Sequence, residues 1–206
     1  MVVMASLQAT TEARVPARRG GDTREQILDV AADLLQQRGF NGFSYQHIAA
    51  QLGIKTAAVH YHFRSKGDLG VALIDRHVEA LRAWDARLGH EGLDPLQVLD
   101  AYFVLVRGFL VEGHRICLSG ALQSELESIP DVMRGPVQGM VAEHLAWLTR
   151  LLDRGRHAGV FRFEGPVDDR ALATLATMQG ALQVGRTCGL EFFDTIARQI
   201  RADLVG

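Results

Sequence analysis

Residues 44–69, SYQHIAAQLGIKTAAVHYHFRSKGDL, set two short helical periods on either side of one glycine, and few folds accommodate that. Ser44 is suited to cap a helix over YQHIAAQL, and Gly53 permits a sharp turn after Leu52. A third short helix then follows from Lys55 to about Phe63. Ile48, Leu52, Ile54, Val59 and Phe63 fall where they pack back onto a preceding helix, and Ala49 is small where two helices cross closely. That preceding helix is supplied by DTREQILDVAADLLQQRGF. Thr23 with Gln26 fits a capping box, Asp22 is an alternative cap, and Ile27, Ala31, Leu34 and Leu35 keep helical spacing up to a stop at Gly39. A supporting helix followed by two short ones about a glycine turn describes a helix-turn-helix module.

The charge pattern singles out the same stretch. From Leu34 to Gly67 there is no acidic residue, while Arg38, Lys55, Arg64 and Lys66 are present with three histidines. Residues 1–66 carry eight Lys and Arg against five Asp and Glu, and residues 67–206 carry fourteen against nineteen. A small basic module ahead of a larger acidic one points to a polyanion partner for the front part. Lys55, Thr56, Ala57, His60 and Tyr61 fall on the side turned away from the apolar positions. Long polar and small side chains suit a helix lying in a major groove, and missing acids suit a surface facing phosphates.

Behind this module the periodicity is helical almost throughout. KGDLGVALIDRHVEALRAWDARL is followed, after Asp94 and Pro95, by LQVLDAYFVLVRGFLVEG and then by ICLSGALQSELES, ending at Pro130. A long helix is expected over residues 131–159, bent near Pro136, which has no amide donor. FRFEGPV reads as a short connector with a little β character. Two final helices, about 168–187 and 190–204, meet at Gly189. The fold class is therefore all-α. The division expected is a disordered basic arm over 1–21, the helix-turn-helix domain over 22–66 and a helical domain over 67–206.

The stretch TREQILDVAADLLQQRGFNGFSYQHIAAQLGIKTAAVHYHFRSKGDL resembles the TetR family of bacterial transcriptional regulators. The match rests on Gly39-Phe40, the capping Ser44, Ile48-Ala49, the Gly53-Ile54 turn, His62-Phe63, Ser65-Lys66 and Leu69. The family usually has Tyr where this chain has His60, with Tyr61 one place later. The resemblance implies phosphate contacts from Ser44, Tyr45, His62 and Lys66, and base-edge contacts from Lys55, Thr56, Ala57 and Tyr61, with His60 serving in either role. Local capping or packing by His62, a solvated surface position for His47 and a solvated Lys66 are the alternatives. The partner implied is double-stranded DNA carrying a palindromic operator.

For the rear domain the resemblance implies ligand binding and homodimerisation through the last two helices. The small residues Ala173, Ala176, Gly180, Ala181 and Gly185 allow close approach either of a second subunit or of an intramolecular neighbour. Trp84, Tyr102, Phe103, Phe109, Met140, His144 and Trp147 form an aromatic and Met set that lines either a pocket or a core. Cys117 has two readings. Its Cys-Leu pair resembles a branch of the family with members that respond to electrophiles or oxidants, and a helix start with Arg115 nearby would favour thiolate; equally it is a buried, inert thiol.

Other classes are disfavoured. His60 and His62 do not share a helix face, so no metal site is expected, and no cofactor. No nucleophile elbow or phosphate-binding glycine loop is present, which argues against an enzyme. No apolar run approaches the ~20 residues of a membrane span, and two distant cysteines give no disulfide framework. The expectation is a soluble cytoplasmic regulator, a repressor released by a small-molecule or electrophilic inducer, or an activator of the same fold.

Overall fold

The computed structural model describes residues 22–113 and 115–206; the arm expected over 1–21 lies outside them. The described residues form helices α1 (Thr23–Arg38), α2 (Tyr45–Leu52), α3 (Thr56–His62), α4 (Lys66–His90), α5 (Pro95–Val111), α6 (Leu118–Ser124), α7 (Asp131–His157), α8 (Val167–Cys188) and α9 (Leu190–Val205). No strand occurs among them, and Arg162 in the FRFEGPV connector instead donates its N–H to the Leu204 carbonyl at 2.8 Å.

The helix ends follow local chemistry. Asp22, rather than the Thr23–Gln26 pair, caps α1: its Oδ1 accepts the Arg24 N–H at 3.0 Å. At α4, Ser65 Oγ accepts from Asp68 N–H at 3.1 Å while Asp68 Oδ2 accepts from Ser65 N–H at 3.0 Å, a reciprocal box. Asp94 and Gln97 repeat that box at α5, with Pro95 at the first helical position. Gly53 (φ 66°) sits in the left-handed region between α2 and α3, so a side chain there would be strained. Gly189 (φ 121°) serves in the same way between α8 and α9.

Helix α6 is shorter than the periodicity of residues 116–128 predicts. The chain leaves the helix at Glu125 and turns, with Ser128 and Ile129 N–H groups both donating to the Glu125 carbonyl. Helix α7 runs without interruption through Pro136.

Packing produces two apolar cores. The first joins Ile27, Leu34 and Leu35 of α1 and Ile48 and Val59 of the turn module to Leu69 and Leu73 of α4, Leu122 of α6 and Met133, Val137 and Met140 of α7. The second fills the space among α5, the rest of α7, α8 and α9. The apolar core of the front module therefore does not end at residue 66. It continues into the first turns of α4 and α7 and takes in α6.

Candidate functional site

The outward side of α2 and α3 is built by what α1 buries. Ile48, Val59 and Phe63 are consumed by the first core, which leaves Gln46, His47, Lys55, Ala57 and His60 exposed, with Tyr61 85% exposed. Thr56 and His62 are half-buried, and the edge of the Tyr61 ring meets the His62 ring at 5.2 Å between centroids. No acidic side chain lies between Leu34 and Gly67, so this outward side has none of its own.

Ser44 N–H donates to His47 Nδ1 at 3.1 Å. A histidine accepting at Nδ1 carries its proton on Nε2, so the cap turns an N–H donor outward beside the start of α2. Reading His47 as a merely solvated residue missed this; a histidine three residues after a capping serine was the available signal.

Two expected phosphate ligands face the wrong way. Tyr45 is buried, its hydroxyl donates to the Phe63 carbonyl at 3.0 Å, and its ring meets His60 at 4.7 Å. Burial, with Asp68 nearby, pushes its phenol up to about 12. As the first residue of α2 it points back along the helix axis toward the end of α3, which the capping pattern does not reveal. Lys66 sends its ammonium inward, donating to the carbonyls of Phe40 and Phe43 and lying 4.5 and 4.4 Å from their ring centres. Burial lowers its pKa. Both residues brace the module from inside.

The turn after α1 is tied to the rear of the molecule. Glu125 Oε2, just past α6, accepts the N–H groups of Phe40 at 2.7 Å and Asn41 at 3.2 Å, and Asn41 Nδ2 donates to Ser128 Oγ at 2.8 Å. Before α6, Ile116 N–H donates to the Gln36 carbonyl at 3.3 Å, and Arg115 pairs with Asp33 at 2.9 Å. Arg115 thus faces α1 and not the thiol beside which the sequence reading set it.

A narrow cavity of about 50 Å³ lies among α4, α5, α7 and α8, with Cys117 at its side. Of the residues expected to line a pocket, Tyr102, Phe109, Cys117 and His144 do so. Trp84, Phe103 and Trp147 pack in the second core instead, and Met140 belongs to the first. The sequence reading did not find His77, Met178 or Gln179, which complete the walls with Leu81, Leu105, Val106 and Leu182.

Tyr102 Oη and His144 Nε2 are hydrogen-bonded at 3.1 Å. Desolvation, with His77 adding, pulls the His144 pKa down to about 4; desolvation lowers that of His77 as well. Both imidazoles are therefore neutral at physiological pH. Cys117 caps α6, its Sγ accepting from Gly120 N–H at 3.3 Å. Burial raises its pKa, outweighing the backbone N–H groups of Gly120 and Ser119 that lower it. The expected thiolate-favouring environment is not what this geometry provides. No group of three His, Cys, Asp or Glu side chains able to hold a metal occurs among the described residues.

On the far side, α8 and α9 present a small and apolar face. Leu172, Ala173, Ala176, Gly180, Val184 and Phe192 are exposed, beside an open groove of about 350 Å³ lined in part by Ala173, Thr177, Thr195 and Ile196. Ala181 and Gly185, read with this set from the sequence, are instead buried within the chain, Gly185 against Leu110 and Phe193.

Comparison with known proteins agrees with this arrangement. Residues 27–73 match the family model "Bacterial regulatory proteins, tetR family". The chain is 28% identical over 163 residues to the transcriptional repressor NemR of Escherichia coli, covering 78% of this chain and 82% of that one. It is 24% identical over 160 residues to the repressor DhaR of a Mycobacterium species, covering 77% and 80%. A TetR-family transcriptional regulator from Agrobacterium tumefaciens superposes with a TM-score of 0.84 at 30% identity, over 89% of this chain and 97% of that one. The reduced form of E. coli NemR gives 0.76 at 25%, over 89% and 97%. With the helix-turn-helix, the all-helical rear and this likeness along nearly the whole length, the chain belongs to the TetR family and is a DNA-binding transcriptional regulator.

Proposed function

We propose that the protein is a dimeric transcriptional repressor whose operator affinity is lowered by a small molecule bound in the cavity among α4, α5, α7 and α8. The observation that carries this is the acid-free outward side of α2 and α3, held by a core that continues through α6 to the cavity wall. Residues 22–66 act as the reader and 67–206 as the ligand-binding and dimerisation part. The site of action is the cytoplasm, where the DNA is, and the cavity binds without turning over its ligand.

Lys55, Thr56, Ala57, His60 and Tyr61 address base edges, while Ser44, His47 and His62 meet the sugar-phosphate backbone. Two α3 helices in successive major grooves, related by a dimer axis, read a palindrome. The exposed apolar face of α8 and α9 supports a homodimer there. Names of relatives support repression, since NemR and DhaR are both repressors.

Helix α6 supplies the link between ligand and reader. Its cap Cys117 lines the cavity, and Glu125 beyond its end holds the Phe40 and Asn41 amides. A ligand that favours a displaced α6 biases the seating of α1, and with it the spacing of the two recognition helices.

Selection of bound sequences from random DNA, followed by salt titration on the winner, tests the reading. The expected result is one short palindrome and affinity falling steeply with salt. Lys55→Ala and Tyr61→Ala should each cost about 1–3 kcal/mol and relax one symmetric pair of positions. Selection at full wild-type stringency by both variants would show that another face reads DNA. Increased transcription from the selected site when the protein is present would make it an activator.

A further inference from the structure

The cavity walls are specific enough to name the class of molecule they admit. Among the described residues that line it there is no Asp, Glu, Lys or Arg. The polar groups are Tyr102 and His144, bonded to each other at 3.1 Å, with His77, Gln179 and the Cys117 thiol. Everything else is Leu, Val, Phe or Met. His77 and Gln179 make no hydrogen bond to any described residue, and the Gln179 carboxamide oxygen lies 3.0 Å from where a Cβ on Gly120 would stand. Both side chains are half-buried at the cavity wall, so each has a polar group free to bond a ligand that enters.

Resting on the functional reading above, we propose that this cavity takes a compact, uncharged ligand with one carbonyl or hydroxyl oxygen, which bonds to the Tyr102–His144 pair and the Gln179 amide while its hydrocarbon part lies against Met178 and the leucines. Size and charge both select for it. About 50 Å³ has room for only a few heavy atoms, which limits the ligand to a short-chain ketone or alcohol, and a larger relative of the same chemistry displaces the Cys117 side of the wall. A carboxylate or ammonium would be stripped of water with no opposite charge to meet it. A hydrocarbon alone would fill the space and leave the Gln179 amide without a partner.

Met178 supplies the probe, because it lines the cavity and is 1% exposed, whereas Met133 and Met140 lie in the first core. The full chain, carrying ¹³C-labelled methionine methyls, is titrated with butanone, 2-butanol, pentane, butyrate and butylamine. Butanone and 2-butanol are expected to move the Met178 methyl signal saturably and leave Met133 and Met140 in place. Their half-saturation should lie at least about tenfold below that of butyrate, butylamine or pentane. Tyr102→Phe should raise the half-saturation for 2-butanol by about tenfold and leave that for pentane unchanged. Gln179→Leu, which keeps the tyrosine pair, should weaken butanone in the same way. Butyrate or butylamine binding as tightly as butanone overturns the inference, as does equal binding of pentane. A Met178 signal unmoved by all five up to their solubility limits overturns it too. Operator binding is measured on the same samples. A failed titration with intact sequence-specific DNA binding removes this inference alone, whereas lost specificity removes the functional reading beneath it.

Discussion

The outward side of α3 and the cavity behind it both collect histidine and tyrosine, and they treat them oppositely. On α3, Tyr61 is 85% exposed and His60 stands in solvent, each touching one neighbouring ring. In the cavity, Tyr102 is 4% exposed and bonded to His144, and burial lowers the proton affinity of both histidines. The first surface is preorganised for a partner that arrives with its own charge and water. The second is desolvated in advance and admits only what needs neither. Between them lies α6, too short to be stable alone and fixed at both ends by contacts to its neighbours.

The contrast breaks first if the two cores are not separate. Leu122 on α6 is fully buried in the first core, and Leu122→Ala is expected to cost about 2–5 kcal/mol of stability. Hydrogen exchange should show the loss in α1 and α6 while the amides of α8 and α9 keep their protection. Equal loss throughout α8 and α9 would mean that reader and cavity unfold as one unit.

Acid sharpens the contrast next. His144 has a folded-state pKa of about 4 against 6.5 when unfolded. Between those values the unfolded chain takes up a proton that the folded chain refuses, so stability drains away as pH falls through that window. The full shift corresponds to about 3 kcal/mol at its acid end. Denaturant unfolding of wild type and His144→Gln at pH 7.5 and pH 4.5 isolates this from the carboxylates, since only the wild type should show the extra loss. Parallel acid limbs would mean that His144 is solvated and the cavity wet.

Much of the fold was legible from the chain because each signal was local. Ser44, Gly53 and Gly189 mark helix ends through their own local requirements, and the α8–α9 junction falls where its glycine stands. Helix α6 was overextended because what ends it is a carboxylate recruited by amides 85 and 84 residues away, which no periodicity carries. The site divided on the same principle. Exposure of Lys55 and Tyr61 follows from which positions α1 buries. The resemblance implies phosphate contacts for Lys66 and Tyr45, and the carbonyls that draw them inward, those of Phe40, Phe43 and Phe63, belong to turns that no local signal places beside them. Gln179 and His77 sit on amphipathic helices with nothing to mark them until α5 and α7 are placed beside them.

Lys66 gives a third, smaller contrast, between a cation that holds the reader together and one that holds DNA. Lys66→Met keeps the stem over Phe40 and Phe43 and removes the ammonium, leaving two carbonyls short of a donor. The expected cost is ~1.5–3 kcal/mol of stability. The slope of operator affinity against salt should not change, since no phosphate contact is lost. A slope flatter by about one unit, with stability intact, would show that the side chain swings out to DNA.

The smallest effect is expected at Cys117, and its smallness is informative. A sensor thiol must ionise and be reached, and this one is burdened on the first count. Burial raises its pKa, the N–H of Gly120 compensates only in part, and Arg115 is spent on Asp33. Cys117→Ser should leave operator affinity within experimental scatter of wild type, because a hydroxyl can cap α6 through the same Gly120 amide. Labelling of the native protein by a maleimide should mark the exposed Cys188 quickly and Cys117 slowly, and the slow phase should accelerate when denaturant opens the fold. Butanone at saturation should slow it further, since ligand and reagent would compete for the same wall. Labelling of Cys117 at the rate of Cys188, with release from DNA that Cys117→Ser abolishes, would reverse the assignment. The cavity would then be an electrophile trap, and the difference between an exposed reader and a cavity that admits only neutral, unreactive ligands would no longer hold.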